Sequence, residues 1–254
     1  MSFFVFPRVA QGYANHRPYY HPLIMEKVRH RINLQGRYEH GLDVGCGTGL
    51  STIALKELAN NVVGIDGSAE MIAVANQHDE AQITYRHAPA EKLPFDKEAF
   101  DLITVCGAIN WIDRTQFFPE AKRVLKERGW VILYDNFITD QMVESEAYTQ
   151  WHQAQFLSRY PKPPRDETPL TPSECEGYGF RFSAEEYTNE LAWSRSEYIE
   201  YMLTQSNVIA AVDMGNETLS EAREWMHTTL APIVPDGTKR TFLFAGYIWY
   251  LQRT

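Results

Sequence analysis

The chain has 254 residues, 44% of them hydrophobic and 22% charged. That supplies a sizeable core and argues against an intrinsically disordered chain. The formal net charge is −9 with no Lys/Arg-rich run; such a field repels phosphate backbones and disfavours a nucleic-acid partner, though one buried Arg can still hold a small anion.

The opening stretch MSFFVFPRVA lacks a basic leader, and Pro7 interrupts its apolar run, so no signal peptide is expected. The longest apolar-looking stretch, Phe242 to Leu251, is too short to span a bilayer as a helix. Cys46, Cys106 and Cys175 match no metal or CxxC spacing and read as free thiols in a reducing compartment. A soluble, cytoplasmic protein with no metal and no membrane partner is expected.

Residues 1–17 read as irregular. A helix is expected from Pro18 to about Leu34, with Pro18 in its first turn. From Gly41 the pattern alternates. GLDVGC reads as a buried strand, and a helix from about Gly49 to Ala59 follows. NVVGID is a second strand, and Ser68 caps a helix to about Gln77. QITYRH and FDLITVC are the third and fourth strands. Thr115 or a neighbour opens a helix that ends at Gly129, and GWVILYDN is the fifth strand. Short apolar strands separated by helices indicate βαβ units and a parallel sheet covered on both faces.

Residues 137–184 break this rhythm with five prolines and several aromatics. We read 137–158 as largely helical and 159–183 as loop, an insertion within the domain. Glu185 to Trp193 is the next strand. Ser194 with Glu197 and Thr218 with Glu221 form capping boxes for helices to about Val212 and Leu230. TFLFAGYIWYLQ is the last strand. The aromatics from Tyr148 to Tyr201 read equally as a lid over an apolar substrate or as core.

The segment Leu42-Asp43-Val44-Gly45-Cys46-Gly47-Thr48-Gly49 follows a strand and opens a helix. Glycines at alternate positions let backbone approach a ligand and take positive φ, and the loop lies where open α/β sheets bind ligands. A dinucleotide fingerprint wants a sixth-position glycine, but Leu50 stands there. Asp43 adds negative charge, and no Lys or Arg occurs between Gly41 and Leu55. A ligand carrying an ammonium and a sulfonium, such as S-adenosylmethionine (SAM), suits that electrostatics better than a pyrophosphate. Asp66, ending the second strand, is the acid expected to take ribose hydroxyls.

In order along 38–136, LDVGCGTGLST, GIDGSAEMI, AEKLPF, FDLITVCGAINWID and RVLKERGWVIL resemble the successive motifs of class I SAM-dependent methyltransferases. The resemblance implies an α/β, Rossmann-like, doubly wound and mostly parallel seven-stranded sheet. It adds an antiparallel C-terminal strand and a small helical cap. It implies a single domain over 1–254: an N-terminal cap segment (1–40), a cofactor-binding half (41–136), the insertion (137–184) and C-terminal strands and helices (185–254).

It also implies roles. Gly45, Cys46 and Gly47 would contact the methionine part of SAM, with Asp43 near its amino group. Asp66 would hold the ribose, with Gly67 beside it, and Met71, Ala90 and Glu91 would serve the adenine. Cys106 and Gly107 would lie under the sulfonium. Pro89 stands where relatives often carry a polar residue.

Asn110-Trp111-Ile112-Asp113 and Tyr13…Arg17-Pro18-Tyr19 further resemble small-molecule methyltransferases of the trans-aconitate methyltransferase type. Tyr13, Arg17 and Trp111 are therefore expected at the acceptor. No catalytic residue is assigned; His16, His21 and His152 are candidate bases. The expected activity is methyl transfer to a small organic molecule, a carboxylic acid being one candidate. The alternatives are a non-catalytic SAM-binding or regulatory module and an NAD(P)-dependent oxidoreductase.

Overall fold

The computed structural model describes residues 6–254. The signal-peptide reading of the first residues, and the irregular reading of 1–5, lie outside the described residues. Among the described residues, strands β1 (Tyr38–Val44), β2 (Ala59–Asp66), β3 (Ile83–His87), β4 (Phe100–Cys106), β5 (Leu125–Met142), β6 (Phe180–Ser194) and β7 (Lys239–Arg253) form one sheet. Its order is β3-β2-β1-β4-β5-β7-β6. Strands β1 to β5 pair in parallel, and the C-terminal β7 is antiparallel, as the pairs Thr139–Leu243 and Val143–Thr241 show. The strand order reverses direction between β1 and β4, and ligands bind at the carboxyl side of such a switch point.

Helix α1 (Pro7–His16) corrects the irregular reading of the N-terminal residues. Pro7 sits in its first turn, and Val9 and Ala10 are buried. Pro18 stops this helix rather than starting the next: it forces Arg17 into an extended conformation with ψ 133°. Helix α2 (His21–Arg31) starts later than expected, with Pro22 in its first turn. Helix α3 (Leu50–Leu55) is shorter than expected because β2 already begins at Ala59. Ser68 caps α4 (Ala69–Ala75) by accepting from Met71 N, as expected.

Helix α5 (Arg114–Val124) ends well before Gly129, because Leu125 is taken into β5 opposite Phe100. The register then slips between Phe100 and Leu102, and Arg128 adopts φ 61°. Gly129 is therefore no helix cap; a methyl group there would lie 2.8 Å from Asp101 O. The helical reading of 137–158 holds only from Ala147, through α6 (Ala147–Gln150), a π-helical turn (Trp151–Phe156) and α7 (Leu157–Arg159). Residues up to Met142 are strand, because β7 offers their backbone partners. The loop expected over 159–183 contains α8 (Pro172–Gly177) and the start of β6.

Both capping boxes are present, at α9 (Arg195–Met202) and α11 (Leu219–Leu230). The helix expected to reach Val212 breaks before α10 (Ser206–Asp213), at Gln205, whose ψ is 140°. There Arg17 Nη2 donates to Thr204 O at 2.7 Å, taking a carbonyl that a continuing helix would use. Replacing Thr218 by Ala removes the side-chain acceptor for Glu221 N and is expected to cost about 1 kcal/mol of unfolding free energy, read by denaturant titration.

Contacts divide the chain into two compact units. One comprises 19–135, 165–186 and 247–254 and packs around Leu42, Val44, Ile103, Val105, Phe117, Phe118 and Leu133. The other comprises the described residues to Pro18, 136–164 and 187–246. The aromatics read as lid or core belong to its core: Tyr148, Trp151, Tyr160, Tyr198 and Tyr201 are buried together with Phe242. No helix among the described residues is long and apolar enough to cross a membrane.

Candidate active site

The site residues of the first unit gather at the carboxyl ends of β1, β2 and β4. Gly45, Gly47 and Gly49 have φ of 70°, 53° and 95°, a left-handed run that side chains other than glycine rarely adopt. A methyl group at Gly45 would lie 2.5 Å from Ala108 Cβ, so that turn presses against the chain after β4. At Gly47 and Gly67, by contrast, an added methyl group meets nothing within 4 Å. Backbone at these two positions faces open space.

Asp66 ties the two positions together. Its Oδ2 accepts from Gly47 N at 2.9 Å and its Oδ1 from Ser68 N at 2.8 Å. Burial pushes its carboxyl above the ordinary range, opposed by these two bonds. Cys46 N donates to Ile65 O at 2.9 Å, which extends the β1–β2 pairing into the loop.

Asp43 is fully buried. Its Oδ2 accepts from Ser51 Oγ at 2.6 Å and Thr52 Oγ1 at 2.7 Å, and its Oδ1 accepts from Thr104 Oγ1 at 2.8 Å. Thr104 is its register partner across β1–β4, and Ser51 and Thr52 lie in the first turn of α3. Asp43 thus fastens loop, helix and neighbouring strand together and places a buried acid behind the loop. Burial pushes its carboxyl up to about 6, against the lowering effect of the three hydroxyls.

Met71 is buried in α4, and Ala90 packs against the core of its unit. Glu91 Oε1 accepts from Asp113 N at 3.0 Å, which engages its side chain with the start of α5. At the end of β4, Cys106 Sγ lies 3.1 Å from Tyr20 Oη and 4.0 Å from His21 Nδ1. His21 Nδ1 is 3.1 Å from Tyr134 Oη, and Gly107 N donates to Tyr134 O at 2.9 Å. Burial pushes the Cys106 thiol up, so it stays protonated, and pushes His21 down to about 3, so its imidazole is neutral. A histidine so weakly basic is a poor proton acceptor at neutral pH.

Trp111 ends a short 3₁₀ turn (Ile109–Trp111), with the Arg165 guanidinium carbon 5.8 Å from its ring centroid. Tyr13 and Arg17 lie in the other unit. There Arg17 Nη2 donates to Tyr13 Oη at 2.9 Å, and the guanidinium lies over the rings of Tyr13 and Tyr201. His16 belongs to the same unit, 3.9 Å from Glu200 Oε2. His152 stacks on Phe156 in the π-helical turn, and burial lowers its pKa.

Sequence reasoning passed over Tyr20, Arg114, Tyr134, Asp135, Arg165 and Tyr247. Asp135 had a signal: it is an acid directly after Tyr134, the last β5 residue in the parallel pairing with β4. A methyl group at Gly107 would lie 3.2 Å from its Oδ1, so the acid stands over the end of β4. Tyr20 and Tyr247 carried no such signal, because only folding brings them to that end.

Strand order and the glycine loop at the switch point define a Rossmann-like α/β fold. Residues 42–133 match the family model described as a methyltransferase domain. That segment carries the glycine loop, Asp66 and the end of β4. The chain is 37% identical over 122 residues to demethylmenaquinone methyltransferase of Lactiplantibacillus plantarum, covering 44% of this chain and 51% of that protein. It is 31% identical over 116 residues to the uncharacterized methyltransferase YcgJ of Bacillus subtilis, covering 43% and 46%. The chain thus spans about half the length of these curated relatives. The YcgJ crystal structure matches with a TM-score of 0.59 at 19% identity, covering 93% of this chain and 99% of that one, which establishes the shared fold.

Proposed function

We propose that the protein transfers a methyl group from SAM to a small organic acceptor. The observation that carries this is the loop itself. Gly47 and Gly67 border open space, two acids stand behind or beside them, and no Lys or Arg occurs from Gly41 to Leu55. That arrangement fits a ligand bearing a sulfonium and an ammonium and disfavours a pyrophosphate.

In this reading Gly45, Cys46 and Gly47 hold the methionine part, and Asp43 contributes its charge through the loop. Asp66 takes the ribose with Gly67, and Met71, Ala90 and Glu91 line the adenine. Cys106 and Gly107 lie beneath the sulfur. When bound, the cofactor supplies a methyl group that is already a strong electrophile. The chain's own task is to orient the acceptor and exclude water. Tyr13, Arg17 and Trp111 are the acceptor residues this reading names, in keeping with the trans-aconitate methyltransferase likeness. A carboxylic acid acceptor is ionised at neutral pH and needs no base, which suits a site whose buried histidine is neutral. The whole chain is read as one cytoplasmic methyltransferase domain without a nucleic-acid partner.

Titration calorimetry with SAM, its demethylated product S-adenosylhomocysteine and NADH tests the cofactor. Incubation with methyl-labelled SAM and a metabolite extract, followed by mass spectrometry, tests the transfer. Binding of SAM and a product gaining one labelled methyl group are expected. Binding of NADH in place of SAM would overturn the reading.

A further inference from the structure

Arg114 is the first residue of α5, directly after the capping Asp113, and only 6% of it is exposed. Its Nη1 donates to Thr168 O at 2.6 Å. Its Nε and Nη2 are buried and have no hydrogen-bond partner among the described residues. Asp166 Oδ2 stands 3.8 Å from Nε, beyond hydrogen-bond reach, and Asp166 Oδ1 accepts from Thr168 N at 2.9 Å.

A buried cationic donor left unbonded is costly. If Arg114 served only to tie the 165–172 loop to α5, one bond through Nη1 would explain it, and the Nε–Nη2 edge would have no purpose. That edge is the planar fork that matches two oxygens of a carboxylate or phosphate. The start of α5 adds the positive end of a helix dipole. Arg165, stacked over Trp111, brings a second cation. Tyr247 lies in β7, the strand next to β5 and its Asp135. Arg114 opens the helix that follows β4 and the Ile109–Trp111 turn, so the unfilled fork lies on the carboxyl side of β4.

We infer that Arg114, assisted by Arg165, binds an oxyanion group of the methyl acceptor, a carboxylate or phosphate carried on a ring or apolar body that Trp111 and Tyr247 flank. This rests on the methyl-transfer reading above.

The test uses the full chain saturated with S-adenosylhomocysteine and titrated with benzoate and with phenyl phosphate at constant ionic strength. Wild type is expected to bind at least one, and the tighter of the two identifies the anion. Arg114→Gln should weaken that binding at least tenfold and Arg165→Gln several-fold, with S-adenosylhomocysteine affinity unchanged in both. No uptake of either anion by wild type, or equal uptake by Arg114→Gln, overturns the inference while leaving methyl transfer standing. Failure of wild type to bind S-adenosylhomocysteine removes both. If Arg114→Gln loses S-adenosylhomocysteine binding through misfolding, Arg165→Gln decides: reduced anion binding supports the site, and unchanged binding overturns it.

Discussion

Replacing Asp66 by Ala is expected to weaken S-adenosylhomocysteine binding by roughly two orders of magnitude or more. The carboxylate accepts from Gly47 N and Ser68 N, and in the proposed reading it also takes the ribose hydroxyls. Hydrogen bonds to a charged group contribute about 1.5–3 kcal/mol each, and losing two gives about 3–6 kcal/mol, far more than one decade of affinity. Part of that loss comes from the loop, since Gly47 N loses the acceptor that holds its left-handed turn. Asp66→Asn keeps an acceptor oxygen but not the charge, so its loss should be smaller. Because burial raises the Asp66 pKa, wild-type affinity should fall with acidification earlier than for an ordinary carboxylate. Calorimetry on the three proteins across pH measures both effects. Equal affinity for wild type and Asp66→Ala would remove Asp66 from the cofactor site.

The second large effect concerns Asp43 and stability. Its folded pKa is about 6, above the 3.8 of an unperturbed aspartate, because burial outweighs three hydroxyl donors. A raised acid binds its proton more tightly in the folded state. Its favourable contribution is therefore complete below about pH 4 and is lost as pH rises through about 6. A shift of this size corresponds to roughly 3 kcal/mol. Asp43→Asn cannot titrate. Unfolding free energies of wild type and variant, measured from pH 4 to pH 7.5 without ligand, should therefore converge or cross, wild type losing ground by on the order of 2–3 kcal/mol. Parallel curves would mean that Asp43 does not titrate in this window. A cationic ligand at the loop favours the ionised acid, so SAM affinity should rise across the same interval.

These two acids show what a buried carboxylate behind the glycine loop costs and supplies. Asp43 costs stability at neutral pH, yet its hydroxyl partners come from α3 and β4. It therefore holds three elements at fixed positions while supplying negative potential. The neutral His21 and protonated Cys106 at the end of β4 add no charge of their own. In the proposed methyl-transfer reading, the chemistry left to this end is placement and exclusion of water.

Local patterns carried the parallel half of the fold. Runs such as LITV and VIL suit strands covered on both faces. Ser68, Ser194 and Thr218 announce their helices because a hydroxyl satisfies backbone donors a few residues away. The alternating glycines and Asp66 were legible for the same reason, since their conformations and charge are properties of a short segment. Tertiary structure alone decided the rest. Residues 137–142 became strand because β7 offered hydrogen bonds from a hundred residues away, and the helix after Ser194 broke where Arg17 took a carbonyl. Tyr20 against Cys106 and Arg114 against Thr168 are likewise long-range pairs. Short-range periodicity encodes which backbone state a segment prefers. Partners distant in the chain settle which side chains meet, through burial and hydrogen bonds that exist only once the elements have packed.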